Sequence, residues 1–292
     1  MADAEIVALR AKLASRSRSD DYRQRRRDID ARGLQYGLGP DVKVEPVTAN
    51  GVRAEWTSTP RDNSDAALLY LHGGGYVIGS LDSHRHLVAE SGRAAGCWAL
   101  ALDYRLAPEN PFPAAVWDAV AGYRYLLARG LKSGRIAIAG DSAGGNIASA
   151  AALALGADPT YRPKLAALIY PVVDGDLDRY ESTHLFHAPL DRAIVHRDMR
   201  RYAPDDADRL DPRFAVMAAS DLSAMPPAYI ATAGMDVLRD QGEAFGERLR
   251  ESGVDASVQR FPNLPHGFLN MLVDPDAERA AAEIGRAIGE RV

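Results

Sequence analysis

Residues 135–155 read RIAIAGDSAGGNIASAAALAL, and this stretch decides the fold. The apolar run RIAIAG predicts a buried strand, and the small residues that end the stretch predict a helix. Between them, G-D-S-A-G has the spacing of a nucleophile elbow, a sharp turn that presents a serine at the carboxyl end of a sheet. Gly140 and Gly144 leave room for that turn, because a side chain there would collide with the neighbouring helix or strand. Ser142 is therefore the predicted nucleophile.

A second motif precedes the elbow, in LLYLHGGGYVIGS, residues 68–80. Attack by a serine on an ester carbonyl creates an oxyanion, and fixed N–H donors stabilise that charge. Three glycines directly after a strand expose consecutive backbone N–H groups, as an oxyanion hole requires. We expect donors from Gly73 and Gly74, joined by the N–H of Ala143. His72 is predicted to bond the backbone and hold the loop.

The base and its orienting acid are expected after the serine, in the order acid then histidine. Asp236 follows the apolar run AYIATAG, and His266 lies in FPNLPHGF, after the last run. Asp240 is a competing acid, but it falls one turn into the helix that follows, so we expect a structural role for it. The predicted catalytic triad is Ser142, Asp236 and His266.

Outside these motifs, short apolar runs alternate with helical patterns, which predicts an α/β fold with an eight-stranded, mostly parallel sheet and helices on both faces. The first two runs alternate most clearly and predict an antiparallel pair that turns at Asn50-Gly51. The eight runs are VKVEPVT, GVRAEWTS, AALLYLH, CWALALD, RIAIAG, LAALIYP, AYIATAG and ASVQRFP. Helices are predicted at about 83–95, 113–129, 143–155, 237–252 and 274–291.

These motifs together resemble the hormone-sensitive lipase family of bacterial esterases, within the α/β-hydrolase fold. The resemblance covers roughly residues 66–270 and rests on HGGGYVIGSLDSH, DYRLAPENPFPAAVWDAV, GDSAGGN, GMDVLRDQG and HGF. It implies hydrolysis of short- to medium-chain acyl esters. Tyr76 and Phe268 are candidate pocket walls, although each could equally belong to the core. Trp117 departs from the family, whose members often carry an acidic residue there.

The resemblance also implies a domain division. Residues 1–37 and 172–224 do not fit the alternation of strands and helices, and they correspond to the segments that form a helical cap in this family. Residues 38–171 and 225–292 then form the catalytic core.

Two charged segments have structural interpretations. Arg23, Arg25, Arg26 and Arg27 are bracketed by aspartates, which favours a solvated helix face. In DYRLAPE, residues 103–109, the charged side chains of Asp103, Arg105 and Glu109 are expected to brace the active-site loops; recognition of a substrate carboxylate by Arg105 is the alternative.

Composition excludes several other functions. A net charge of −5 over 292 residues gives no basic footprint for a nucleic acid. Cys97, the one cysteine, allows no internal disulfide and is expected to be an inert buried thiol. No apolar run approaches the ~18 residues of a membrane span, and the first residues lack a signal-peptide pattern, so a cytoplasmic location is expected.

No cofactor or metal is predicted. The elbow lacks the lysine of a phosphate-binding loop. None of the other histidines, His84, His86, His184 and His187, has the spacing of a zinc site.

Two other functions remain open. An amide, carbamate or lactone hydrolase would use the same triad and oxyanion chemistry. A non-catalytic small-molecule receptor on this fold would typically lack the triad histidine, whereas His266 is present here. The last strand is expected at a sheet edge, where a second copy could pair with it to form a homodimer.

Overall fold

Eight strands form one sheet in the computed structural model of the chain, which describes residues 19–185, 190–271 and 274–292. All eight predicted strands are confirmed. They are β1 (Lys43–Ala49), β2 (Val52–Ser58), β3 (Asn63–Leu71), β4 (Cys97–Leu102), β5 (Ile136–Asp141), β6 (Leu165–Ile169), β7 (Ala228–Met235) and β8 (Ala256–Pro265).

The sheet order is β1-β2-β4-β3-β5-β6-β7-β8, so β8 is an edge strand as expected. Every pair from β4 to β8 is parallel, whereas β1 and β2 are antiparallel to their neighbours. Asn50 and Gly51 join β1 to β2 with φ of 49° and 92°. Positive φ at both central residues gives a turn whose twist matches that of the strands, so the predicted hairpin is confirmed.

Nine α-helices occur among the described residues. The five predicted helices correspond to α2 (Leu81–Ala95), α3 (Ala114–Ala128), α4 (Ala143–Gly156), α8 (Arg239–Glu251) and α9 (Pro275–Gly289). Helix α2 begins two residues earlier than predicted because Ser80 and Ser83 form a capping box. The other four are α1 (Tyr22–Gly33), α5 (Ser182–Leu185), α6 (Arg192–Tyr202) and α7 (Asp206–Leu210). None of the helices in the described segments is both long and apolar enough to cross a membrane.

The sheet is buried on both faces. Side chains alternate along a strand, so Leu69 and Leu71 of β3 enter one apolar cluster with α3 and α4, while Leu68 and Tyr70 enter another with α2 and α9. The central strands are apolar in nearly every position for this reason. The carboxyl ends of β3, β5 and β7 meet along one edge of the sheet, where the predicted catalytic motifs begin.

The arginine run forms the predicted solvated face only in part: Arg23 and Arg27 are exposed, whereas Arg25 and Arg26 face other segments of the fold. Arg25 is buried, with only 6% of its surface exposed. The guanidinium of Arg26 donates to the backbone oxygens of Val77 and Ala107 and to the carboxylate of Glu109. The prediction was wrong for Arg25 and Arg26 because their partners lie far along the chain, where local charge patterning gives no sign of them.

Candidate active site

The elbow at Ser142 has the strained backbone that the motif predicts. Ser142 has φ of 56° and ψ of −120°, between the end of β5 and the start of α4, and its N–H donates to the Ile169 oxygen at 2.8 Å. A Cβ at Gly144 would overlap the backbone oxygens of Leu71 and His72, and one at Gly140 would overlap Gly144. Only glycine at both positions lets strand and helix approach this closely.

The three predicted triad residues lie together, with His266 within hydrogen-bond distance of both Ser142 and Asp236. His266 Nε2 lies 2.9 Å from Ser142 Oγ, and His266 Nδ1 lies 2.8 Å from Asp236 Oδ2. Asp236 is buried and its other carboxylate oxygen accepts the N–H of Leu238 at 3.0 Å. The acid is thus fixed on one side of the imidazole, while Ser142 lies on the other. This chain of contacts can move a proton from the serine to the histidine.

The carboxylate of Asp240 takes no part in these triad contacts. It accepts the N–H of Ser182 at 2.7 Å and the Nε of Arg239 at 2.7 Å. The contact with Ser182 joins α8 to α5, which agrees with the structural role expected of Asp240.

The glycine loop corrects one predicted donor. The N–H of Gly73 donates to the Asp141 carboxylate at 2.8 Å, which contradicts its predicted role in an oxyanion hole because that N–H is already occupied. The N–H groups of Gly74, Gly75 and Ala143 donate a hydrogen bond to no other residue in the described segments. The backbone oxygen of Gly74 accepts from Val77 and Ile78, which closes the loop into a tight turn. The available donors are therefore shifted by one residue along the loop.

Behind the loop lies a buried cluster of His72, His84 and Asp141. His72 Nδ1 lies 2.8 Å from the Gly73 oxygen, and the Tyr104 hydroxyl donates to the His72 oxygen at 2.7 Å. The predicted backbone bond of His72 is confirmed. Burial lowers the pKa of His72 to about 4, with a further contribution from His84, and burial lowers the pKa of His84 to about 4. Burial also raises the pKa of Asp141.

Because their pKa values are lowered, His72 and His84 are expected to make the fold less stable in acid. A histidine with a lowered pKa in the folded state binds its proton first in the unfolded chain, so stability is lost as pH falls from about 6.5 to about 4. One ring with its pKa lowered to this extent can contribute on the order of 3 kcal/mol to that loss, and the two contributions do not add because His84 is itself one cause of the shift at His72. Asp141 acts in the opposite direction, because its raised pKa favours protonation in the folded state.

We expect the free energy of unfolding, measured by urea denaturation at pH 7, 6, 5 and 4.5, to decline across this range. His84→Gln should flatten the decline, whereas His86→Gln, on the same helix but only partly buried, should change it less. A wild-type stability that stayed constant from pH 7 to 4.5 would contradict this expectation.

The two candidate pocket walls are core side chains. Tyr76 is 1% exposed and its ring stacks on that of Tyr202 at 4.2 Å between centroids. Phe268 is fully buried and packs edge-on against Tyr170. The core alternative is confirmed for both residues. Tyr170 lies between Phe268 and the active site, with its ring 4.8 Å from that of His266.

The charged residues of DYRLAPE form ion pairs that hold this segment to β2, α3 and α1 rather than directly to the active-site loops. Asp103 pairs with Arg53, and Glu109 pairs with Arg26 of α1. Arg105 donates to both carboxylate oxygens of Asp118 in α3, so its guanidinium is committed to a structural pair rather than to a substrate carboxylate. Trp117, where the chain departs from the family, is 48% exposed.

The remaining candidate groups have ordinary environments. Cys97 is buried, and burial raises the pKa of its thiol to about 12, which leaves it protonated and unreactive. Within the described ranges, no three His, Cys, Asp or Glu side chains lie together as metal ligands would. His187 lies outside the described residues.

Comparisons with known proteins identify the class. The sequence profile of the alpha/beta hydrolase fold matches residues 68–270. The acetyl-hydrolase of Streptomyces hygroscopicus is 37% identical over 264 residues, 90% of this chain and 87% of that protein. The ethyl acetate hydrolase of Pseudomonas putida is 40% identical over 225 residues, 73% of this chain and 70% of that protein. The sheet, the elbow and these matches define an α/β hydrolase.

Structural similarity narrows the class to a family. The crystal structure of an esterase from the bacterial hormone-sensitive lipase family has a TM-score of 0.90 and 33% identity, covering 99% of this chain and 97% of that one. The chain belongs to this family and is a carboxylic ester hydrolase, as the motifs predicted.

Several residues around the site could not be identified from the sequence. Three consecutive glycines give no indication of which N–H groups are free to act as donors, so Gly75 was not predicted. Asp141 stands inside the GDSAG motif, yet its bond to Gly73 depends on the parallel pairing of β3 with β5. Arg25 and Asp198, 173 residues apart, meet only in the folded chain.

Proposed function

We propose that this esterase cleaves short- to medium-chain acyl esters with Ser142 as nucleophile, His266 as base and Asp236 as orienting acid. The observation that carries the proposal is the continuous chain of contacts from Asp236 through His266 to Ser142, at 2.8 and 2.9 Å. Both distances fit the reach required of a nucleophile and its base.

The reaction proceeds in two halves. Ser142 Oγ attacks the ester carbonyl while His266 Nε2 takes the hydroxyl proton, and the alcohol leaves with that proton as the acyl-enzyme forms. Water then attacks the acyl group with His266 again as base, releasing the carboxylic acid and restoring the serine. Asp236 keeps the imidazole in the tautomer that leaves Nε2 able to accept a proton.

The oxyanion of both tetrahedral intermediates is assigned to the N–H groups of Gly74, Gly75 and Ala143. Their availability supports this assignment, as does the position of Ala143 at the start of α4, where the helix dipole favours negative charge. Gly73 supports the hole indirectly, because its bond to Asp141 fixes the start of the loop.

Short acyl groups are favoured by two observations. Among the relatives, one is named for acetyl groups and another for ethyl acetate. In this chain, the aromatic side chains of Tyr76, Phe112, Tyr202 and Phe214 are buried and pack against one another beside the glycine loop, so a long acyl chain could enter among them only by displacing them.

The chain-length profile tests this substrate class. We expect initial rates on p-nitrophenyl esters from acetate to palmitate to peak between acetate and hexanoate and to be lost in Ser142→Ala. Fastest turnover on palmitate would contradict the short-chain assignment. Turnover of amides or lactones, with none on any ester, would move the assignment to the other hydrolases that share this triad.

Three further features belong to this proposal. Residues 1–37 and 172–224 are assigned to a cap and residues 38–171 and 225–292 to the core; the contacts of Arg26 with Val77 and of Tyr202 with Tyr76 support a cap beside the active-site loop. A homodimer through β8 is supported by its edge position. A cytoplasmic location rests on the sequence pattern alone.

A further inference from the structure

A buried ion pair joins the two parts of the proposed cap. Arg25 of α1 donates from Nη1 and Nη2 to the two carboxylate oxygens of Asp198 in α6, at 2.8 and 2.6 Å. The side chains are only 6% and 4% exposed. Arg201 and Arg197 approach the same carboxylate at 3.3 and 3.5 Å. One buried aspartate is therefore surrounded by three guanidinium groups.

The carboxylate of Asp198 lies directly against the glycine loop. A Cβ at Gly75 would be 2.8 Å from Asp198 Oδ2 and 3.0 Å from Asp198 Cβ. Gly75 has φ of 61°, in the left-handed region that favours glycine. Asp198 thus fills the space beside Gly75, and the backbone conformation of Gly75 sets the direction of the Gly75 N–H.

Two more contacts hold the residues that follow. The ring of Tyr202, one helical turn after Asp198, stacks on Tyr76 at 4.2 Å with an angle of 4° between the planes. Arg26, next to Arg25, donates to the Val77 oxygen at 2.7 Å. Three successive loop residues, 75 to 77, are therefore each contacted by α1 or α6.

Packing alone does not account for an ion pair at this position. Removing two charges from water is costly, and apolar residues of similar volume often stabilise a protein as well or better. A bare carboxylate beside an oxyanion donor would also oppose the charge that develops in the reaction, whereas the arginines around Asp198 offset that effect.

We propose that Asp198, neutralised by Arg25, is a positioning residue that holds the Gly75 N–H toward the oxyanion. This inference rests on the proposed function, since it assigns a support to the same oxyanion hole. The aspartate side chain supplies the shape that restrains Gly75, and the arginine removes the electrostatic penalty of placing it there. The cap then contributes to the rate of the chemical step as well as covering the site.

Substitutions at Asp198 separate shape from charge. We expect Asp198→Ala, which leaves a gap beside Gly75, to lower kcat about 10- to 100-fold with KM near the wild-type value. Asp198→Asn keeps nearly the same shape beside Gly75 and should retain most of the kcat, while its melting temperature should fall because Arg25 loses its buried counter-charge. Asp178→Ala removes a surface carboxylate that pairs with Arg192 of α6, the helix that carries Asp198, and it should leave kcat unchanged.

The inhibition constant of butaneboronic acid is a second measurement, and it should stay at the wild-type value if Asp198 has only a structural role. The boronate forms a tetrahedral anion on the serine, so its inhibition constant should rise in Asp198→Ala by about the same factor as kcat falls. If Asp198→Ala does not fold, Arg25→Met supplies the second test, because it keeps the shape and leaves the carboxylate less compensated; kcat and boronate affinity should again fall together.

The outcomes distinguish this inference from the function on which it rests. A lower melting temperature in Asp198→Ala, with wild-type kcat and boronate affinity, would reduce the ion pair to a structural role and overturn the inference. Wild-type turnover by Ser142→Ala, or no inhibition of the wild-type enzyme by the boronic acid, would instead overturn the proposed function, and the inference with it.

Discussion

Replacement of Ser142 by alanine is expected to lower kcat on p-nitrophenyl acetate by about 10⁴- to 10⁶-fold. The variant keeps the glycines that make the elbow and the N–H groups of the loop, so it removes the nucleophile and little else. What activity remains would come from water attacking an ester held in the oxyanion hole. Steady-state rates with purified protein, checked by titration for contaminating wild type, measure the loss.

Ser149→Ala is the matched control. Ser149 lies on the same helix, α4, is fully buried and donates to the Asn146 oxygen, so the substitution removes an equivalent hydroxyl two turns from the elbow. It should change stability slightly and leave kcat near the wild-type value. If both alanine variants kept full turnover, the nucleophile would have to be sought elsewhere.

Asp236→Asn is expected to lower kcat by about 10⁴-fold while leaving the fold intact. The carboxylate accepts from His266 Nδ1 at 2.8 Å, which keeps that nitrogen protonated and leaves Nε2 free to take the proton of Ser142. An asparagine can present its NH₂ group to Nδ1 instead, which places the histidine proton on Nε2. In that tautomer the base is already occupied when the substrate arrives.

The competing acid supplies the comparison. Asp240→Asn alters the contact of α8 with Ser182 and should lower the melting temperature more than it lowers kcat. Circular dichroism and thermal melts on both variants would separate loss of function from loss of structure. Equal losses of kcat in the two variants would remove the grounds for choosing Asp236 as the triad acid.

The predicted strands agree with the structure, and the three residues of the predicted triad lie together in it, because local patterns determine both. A strand buried on both faces is apolar in nearly every position, and β5 to β7 are, with Asp141 and Thr232 as polar exceptions. The residues that follow β5 and β7 lie at the same edge of a parallel sheet, so Ser142 and Asp236 could be placed together from their order in the chain alone. His266 directly follows β8, which is parallel to β7, so it lies at the same edge.

The predictions that were wrong depend on contacts between distant segments. Gly73 is not the predicted oxyanion donor because β3 and β5 are neighbours, and this pairing brings Asp141 to the N–H of Gly73. Arg25 is buried rather than solvated because α6 places Asp198 beside it. Aspartates bracket an arginine run both in helices that face water and in helices that face another part of the fold. The local sequence therefore could not separate the two cases.

The separation of the triad along the chain has a consequence for biosynthesis. Ser142 and His266 are 124 residues apart, and the loop that carries His266 follows β8, the last strand to be made. A nascent chain on the ribosome can form the elbow and the glycine loop well before it holds a base. On the proposed mechanism, the growing polypeptide cannot hydrolyse cellular esters until synthesis has passed residue 266.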